Sequence, residues 1–144
     1  MYFEDFYIGQ HFECEPVSIS EADILEFASR YDPLPIHLDK GFASESMHKG
    51  LIASGFHTLC AVWGQWVKQK VLSHEIIGGL SLDNVKWLLP VRPNDRLTVD
   101  AEVTDLIPSS KKGRGIFALK VTASNQEGQT VMTVESKALI KCRP

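Results

Sequence analysis

The fold is decided by residues 50–72, which read GLIASGFHTLCAVWGQWVKQKVL. Apolar side chains cover almost every face of a helix built from this stretch. They are Leu51, Phe56, Leu59, Cys60, Val62, Trp63, Trp66, Val67 and Val71. A helix that lies on a protein surface has one apolar stripe and one polar face, whereas a helix that is apolar nearly all round is enclosed by other structure. The pattern therefore predicts a long buried helix at the centre of the fold.

Downstream of His74 the apolar residues change from a helical period to an alternating one. Alternation is typical of half-buried strands. The four predicted strands cover residues 80–89, 97–104, 117–123 and 132–140. The parity of the first strand switches at Asp83 and Asn84, which indicates a β-bulge. A hairpin turn around Gly128 joins the last two strands, so we expect them to pair antiparallel.

Upstream of the central helix the sequence predicts a strand over residues 11–19 and a helix that Ser20 caps and that ends at Tyr31. Pro33 and Pro35 end this helix, which predicts an ordered, non-helical turn over residues 32–38. A short helix follows at residues 39–47. This order of elements predicts an α+β fold in which an antiparallel sheet curls around the central helix, the hot-dog arrangement, as a single domain over residues 1–144.

Composition excludes several classes of protein. The 144 residues carry 15 Lys and Arg against 18 Asp and Glu, a formal net charge of −3, and no dense basic stripe of the kind that binds nucleic acid. No apolar run approaches the ~20 residues of a membrane span, and the N-terminus does not resemble a signal peptide. Cys14, Cys60 and Cys142 form no Cys-x-x-Cys pair, and the five histidines lack metal-ligand spacing. We predict a cytoplasmic protein that binds neither nucleic acid nor membrane, has no metal site, and buries Cys60 in its core.

The segment Tyr31–His37, which reads YDPLPIH, carries the first candidate chemistry. Its two prolines restrict the backbone, so Asp32 and His37 are held at a defined separation. A carboxylate and an imidazole held in this way can bind one water and transfer its proton. The same pattern also fits a turn in which Asp32 only caps the backbone and His37 only packs.

The start of the central helix is the second candidate. Small residues at Ser54 and Gly55 leave backbone N–H groups uncovered, where the helix dipole favours negative charge. Such a site can accept the oxygen of a polarised thioester carbonyl, as an oxyanion hole does. The alternative is that these small residues only allow close packing against the sheet.

Together these segments resemble the MaoC-like dehydratase family, which includes the (R)-specific enoyl-CoA hydratases. The family pattern of Asp, any residue, Asn, Pro, an aliphatic residue and His is matched at Asp32, Pro35, Ile36 and His37, with Leu34 in place of Asn. The resemblance implies a hot-dog protein that acts on acyl-CoA or another acyl thioester and uses no metal or redox cofactor. Asp32 and His37 would activate the water, and the N–H of Gly55 would stabilise the thioester oxygen.

By the same resemblance we expect Ser54, Phe56 and Trp63 to contact the substrate. The Trp63 indole either shortens the acyl pocket or faces elsewhere. Two alternatives stay open. A hot-dog thioesterase is disfavoured because residues 50–71 contain no Asp or Glu, whereas a non-catalytic acyl-thioester-binding domain would fit Leu34 and Trp63. A sheet around one helix leaves strand edges uncovered, so we predict a homodimer or an assembly of dimers, with the acyl site near the interface.

Overall fold

The computed structural model describes residues 1–144 as one five-stranded antiparallel sheet with four helices. The elements are β1 (His11–Ser18), α1 (Glu21–Tyr31), α2 (Pro35–Leu38), α3 (Lys40–Glu45), α4 (Gly55–Val67), β2 (Ile76–Trp87), β3 (Arg96–Pro108), β4 (Arg114–Ser124) and β5 (Thr130–Lys141). The strand order is β1-β3-β4-β5-β2, and a 3-10 turn at Phe3–Asp5 precedes β1. The α+β class and the hot-dog arrangement are confirmed.

The core lies between α4 and the sheet. The alternation predicted for β3 is present: Leu97, Val99, Ala101 and Val103 are buried. They share one apolar cluster with side chains from the other strands and with Val62 and Trp66 of α4. Burial of each large apolar side chain contributes about 1.5–3 kcal/mol, so α4 is held by packing rather than by its own helical propensity.

Helix α4 is shorter than predicted, because it begins at Gly55 instead of residue 50. Residues 51–54 are buried and belong to no helix or strand, and their backbone is bonded to distant segments. The N–H of Ile52 donates to Ile36 O at 3.3 Å, and the N–H of Ala53 donates to Val91 O at 2.8 Å. These long-range bonds replace the bonds that a helix would need, and they place the start of α4 beside α2.

The far end of α4 also differs from the prediction. The helix ends at Val67, and Lys70 has a φ of 58°, a left-handed conformation that a helix cannot contain. Thr58, Val62 and Trp66 are the buried residues of α4, whereas Cys60 is exposed. The predictions that the helix is enclosed on all sides and that Cys60 is a core residue are therefore wrong for the single chain, because the sheet covers only one face of α4.

Local signals at the other elements gave mixed results. The Ser20 cap is confirmed, since its Oγ accepts a hydrogen bond from the N–H of Asp23 at 3.1 Å. The bulge near Asn84 is confirmed by a register shift there and a φ of 50°. The turn after α1 is not free of helix, because Pro35 begins the one-turn helix α2; proline suits a first helical position, where no N–H is needed.

No helix of the chain is long and apolar enough to cross a membrane. The cytoplasmic location stays a prediction.

Candidate functional site

Asp32 and His37 lie on either side of the turn between α1 and α2. Nε2 of His37 is 3.4 Å from Oδ2 of Asp32. Backbone bonds close the turn: the N–H of Leu34 donates to Asp32 O at 2.8 Å, and the N–H of His37 donates to Leu34 O at 2.9 Å. The side chain of Leu34 is half exposed, so the turn keeps its shape without the side-chain amide of an asparagine.

The hydrogen bonds of His37 define the chemistry of its ring. The residue is only 5% exposed, and its Nδ1 lies 2.8 Å from the carbonyl oxygen of Ile52. A carbonyl can only accept, which assigns the proton of the neutral imidazole to Nδ1 and leaves a lone pair on Nε2. The lone pair and the Asp32 carboxylate are then two acceptors 3.4 Å apart, and one water can donate a proton to each.

Ser54 contacts this pair through a hydrogen bond to Asp32. It is fully buried, and its Oγ donates to Oδ2 of Asp32 at 2.7 Å. The Ser54 hydroxyl thus holds the Asp32 carboxylate, and Ser54 is not part of the cavity lining described below. Its contact with substrate stays a prediction.

The N-terminus of α4 is uncapped. Ser54 occupies the cap position but makes no side-chain bond to the helix, and the first helical N–H with an acceptor in the chain is that of Thr58, which donates to Ser54 O at 3.1 Å. The N–H groups of Gly55, Phe56 and His57 therefore lack acceptors in the chain, as expected at an open helix end. This end can receive an anionic or strongly polarised oxygen.

Gly55 is also a point of close packing. A Cβ at this position would lie 2.5 Å from Cε2 of the Trp87 indole, and Nε1–H of Trp87 donates to Gly55 O at 2.8 Å. The two interpretations of Gly55 are thus compatible: the indole needs a glycine beneath it, and the N–H of that glycine stays unpaired.

One cavity of about 400 Å³ brings these groups together. Its lining includes Asp32, His37, Gly55 and Phe56, together with Trp87 and residues 88–91. The lining as a whole has more apolar than polar residues. Water that enters this cavity can meet the carboxylate and the imidazole, and the uncapped start of α4 is part of the same lining.

Trp63 does not line this cavity. It lies eight residues beyond Gly55, about 12 Å along the helix axis, in a separate apolar cleft of about 480 Å³ with Leu59, Leu80 and Leu82. Of the two alternatives for the Trp63 indole, this placement favours the one in which it faces away from the pocket around Asp32 and His37.

His57 packs rather than lining the cavity. Its ring stacks on Phe27 with the centroids 4.4 Å apart and the planes 7° apart. Burial lowers the pKa of His57, which keeps the ring neutral beside the positive end of α4, where an imidazolium would be unfavourable.

Nine of the residues that line the cavity were not predicted as site residues, and three of these nine carry a polar or aromatic side chain: His48, Thr58 and Trp87. Thr58 follows Gly55 by three residues, so helical spacing alone could have placed both on one face. His48 lies in the connection between α3 and α4, and Trp87 is the last residue of β2. No local sequence pattern marks either of them as a site residue. No group of three or more His, Cys, Asp or Glu side chains is arranged to hold a metal ion.

The chain is similar to known proteins in sequence and in structure. The family model described as "MaoC like domain" matches residues 5–131. The uncharacterized protein YdeM of Bacillus subtilis is 33% identical, over 98% of this chain and 99% of its own. The (R)-specific enoyl-CoA hydratase of Rhodospirillum rubrum is 28% identical, over 99% of this chain and 93% of its own. The crystal structure of the MaoC-like dehydratase from Rhodospirillum rubrum superposes with a TM-score of 0.91 at 32% identity, covering 100% of this chain and 99% of that one.

Proposed function

The chain belongs to the MaoC-like domain family, and on that premise we propose that it is an acyl-thioester hydro-lyase. It adds water across the Cα=Cβ bond of an enoyl-CoA or removes water from a 3-hydroxyacyl-CoA. The observation that carries this proposal is the 3.4 Å separation of His37 Nε2 and Asp32 Oδ2 on a cavity that also contains the uncapped N–H of Gly55. The similarity to an (R)-specific enoyl-CoA hydratase supports the reaction class.

In the hydration direction, Asp32 and His37 hold one water between their two acceptor atoms. As the water oxygen forms a bond to Cβ, one of its protons passes to this pair, and the π electrons move towards the thioester carbonyl. The pair then returns a proton to Cα, so a 3-hydroxyacyl thioester forms and the protonation of the pair is restored. The reaction is redox-neutral, so the proposal includes no cofactor.

The Gly55 N–H stabilises the charge that develops on the thioester oxygen. The donor is fixed at the start of a 13-residue helix, and its dipole favours negative charge there. A fixed backbone donor needs no reorganisation during the reaction, and loss of one such donor typically lowers kcat by about 10²–10³. Phe56, beside Gly55 on the cavity wall, and the Trp87 indole limit the access of bulk water.

The proposal is tested by incubating the protein with a short and a medium trans-2-enoyl-CoA. We expect loss of the conjugated thioester absorbance without release of free coenzyme A. Release of the thiol would instead identify a thioesterase, although α4 offers no Asp or Glu for that chemistry. Tight binding without either product would favour the non-catalytic acyl-thioester-binding domain.

We also propose that the protein is a homodimer joined through β2. This strand pairs only with β5, so its other edge is open. The strand and the uncovered face of α4 expose apolar side chains next to that edge: Phe56, Cys60, Val67, Ile77, Leu80 and Leu82. Open edges and contiguous apolar surface are covered by a partner in stable proteins, and an antiparallel two-fold pairing of β2 would cover both features at once.

The double substitution Leu80→Lys and Leu82→Lys is expected to convert this dimer into a monomer, because it places two charges in the apolar interface. Light scattering coupled to size-exclusion chromatography measures the change. Ile107→Lys is the matched control, since Ile107 is an exposed apolar residue near the far end of β3. A double variant that elutes with the wild-type mass would contradict the β2 interface.

A further inference from the structure

The ring of His57 joins the two elements that carry the candidate site. His57 is the third residue of α4, and its ring stacks on Phe27 of α1 with the centroids 4.4 Å apart. Nδ1 of His57 is buried and has no hydrogen-bond partner in the chain. The proposed chemistry uses neither the ring nor this nitrogen, so the reaction itself does not explain the residue.

A second contact joins the same two elements. Asp32 is the residue at which α1 ends, and its N–H donates to Ala28 O at 3.0 Å. Ser54 directly precedes α4 and donates its hydroxyl to the Asp32 carboxylate at 2.7 Å. A movement of α1 away from the start of α4 would therefore break this hydrogen bond and displace the carboxylate.

The stack requires a neutral imidazole. A proton on Nδ1 would have no acceptor, so the neutral ring carries its proton on Nε2, and protonation of His57 would bury an unpaired N–H. The added charge would also lie in the first turn of α4, at the positive end of the helix dipole. Burial lowers the pKa of His57, and the charge of Asp23 on α1 opposes this only in part. Because α4 contains no Asp, Glu, Lys or Arg, no other charge on the helix compensates an imidazolium.

We propose that neutral His57 is a positioning residue that holds α1 against the start of α4, and that its protonation separates the two helices and inactivates the site. This inference rests on the proposed function, because the site that His57 controls is that of the hydration reaction. A histidine exposed by the separation has the ordinary pKa of about 6.5, whereas burial lowers the pKa of the packed ring. The proton therefore binds preferentially to the separated form. The free energy that favours the packed form is fully present above about pH 6.5 and decreases as the pH falls below it.

His57→Phe tests the proposal, because phenylalanine can stack on Phe27 but cannot be protonated. We would measure kcat/KM for hydration of crotonyl-CoA at about pH 8 and about pH 5, on either side of the ordinary histidine pKa. Titration of Asp32 and His37 affects both proteins, so the informative quantity is the ratio of variant to wild type. We expect this ratio to rise by at least about threefold from the higher to the lower pH. A ratio that is the same at both pH values would overturn the inference.

Two further variants separate positioning from general damage to the protein. His57→Ala removes the stack, so we expect its kcat at about pH 8 to lie on the order of tenfold below that of His57→Phe, with a smaller change in KM. His74→Phe makes the same substitution at an exposed histidine outside the cavity, and its ratio to wild type should not depend on pH. A His57→Ala variant as active as His57→Phe would contradict the positioning role.

Hydrogen exchange distinguishes failure of this inference from failure of the proposed function, because it needs no turnover. The N–H of Asp32 is bonded to Ala28 O, and that of Thr58 is bonded to Ser54 O, so separation of the helices exposes both amides to water. We expect their protection factors to fall between about pH 8 and about pH 5 more in the wild type than in His57→Phe. Equal falls in both proteins would refute the inference even if hydration is found. A larger fall in the wild type without any turnover would support the role of His57 in packing and overturn only the proposed function.

Discussion

Asp32→Asn is expected to lower the rate of enoyl-CoA hydration by at least about a hundredfold, as loss of a general acid–base group does. The amide has the size of the carboxylate and can still accept the Ser54 hydrogen bond, so the fold should persist. It cannot take a proton from water, and its oxygen takes the place of Oδ2, the atom that accepts from Ser54 and lies 3.4 Å from Nε2 of His37. The rate is measured from the loss of the conjugated thioester absorbance of crotonyl-CoA. The stability of the fold is measured by thermal unfolding.

Ser54→Ala is the control for this prediction and is expected to have a smaller effect on the rate. It leaves the carboxylate in place and removes only the 2.7 Å bond to Oδ2, so we expect a smaller loss, on the order of tenfold. Turnover of Asp32→Asn close to the wild-type value would remove Asp32 from the mechanism. Equal losses in both variants would indicate that the position of the carboxylate, and not its proton transfer, sets the rate.

Gly55→Ala is the second prediction with a large effect. The new Cβ would lie 2.5 Å from Cε2 of Trp87, so the indole must move and its bond to Gly55 O is lost. The displaced ring changes the wall of the cavity and the position of the thioester. Because a misplacement of about 1 Å can lower a rate by about 10², we expect a fall of about a hundredfold in kcat/KM.

Gly64→Ala is the matched control, on the same helix with no atom within 4 Å of its Cβ. It should keep the wild-type activity and raise stability by about 0.5–1 kcal/mol, the usual advantage of alanine over glycine in a helix. Trp87→Ala in the Gly55→Ala background removes the clash, so the two substitutions should be strongly non-additive. A Gly55→Ala variant as active as Gly64→Ala would mean that the indole does not shape the site.

Elements with a strong local cause could be predicted from the sequence. Ser20 caps α1 because its side chain reaches an N–H three residues away, and β3 is a strand because its apolar residues alternate over eight positions. The hairpin turn at Gly128 needs a positive φ, here 74°, which glycine adopts freely. Each of these signals is complete within a few residues of the chain.

The candidate site was predictable to the extent that its residues are close in sequence or carry a family pattern. Asp32, His37 and Gly55 were identified in this way, and the structure brings them to one cavity. The placements of Ser54 and Trp63 were not predictable. The first depends on a hydrogen bond to a residue 22 positions earlier, and the second on which face of α4 the sheet covers.

The sequence by itself determined that the chain forms an antiparallel sheet with a central apolar helix. It also determined that a carboxylate and an imidazole flank a turn that contains two prolines. Only the tertiary structure decided where α4 begins, because residues 51–54 bond to Ile36 and Val91 instead of continuing the helix. Only the tertiary structure turned Thr58 towards the cavity and Trp63 towards a different cleft. When a helix is apolar on nearly every side, its sequence pattern does not indicate which side is buried. The surfaces that pack against the helix decide which side that is.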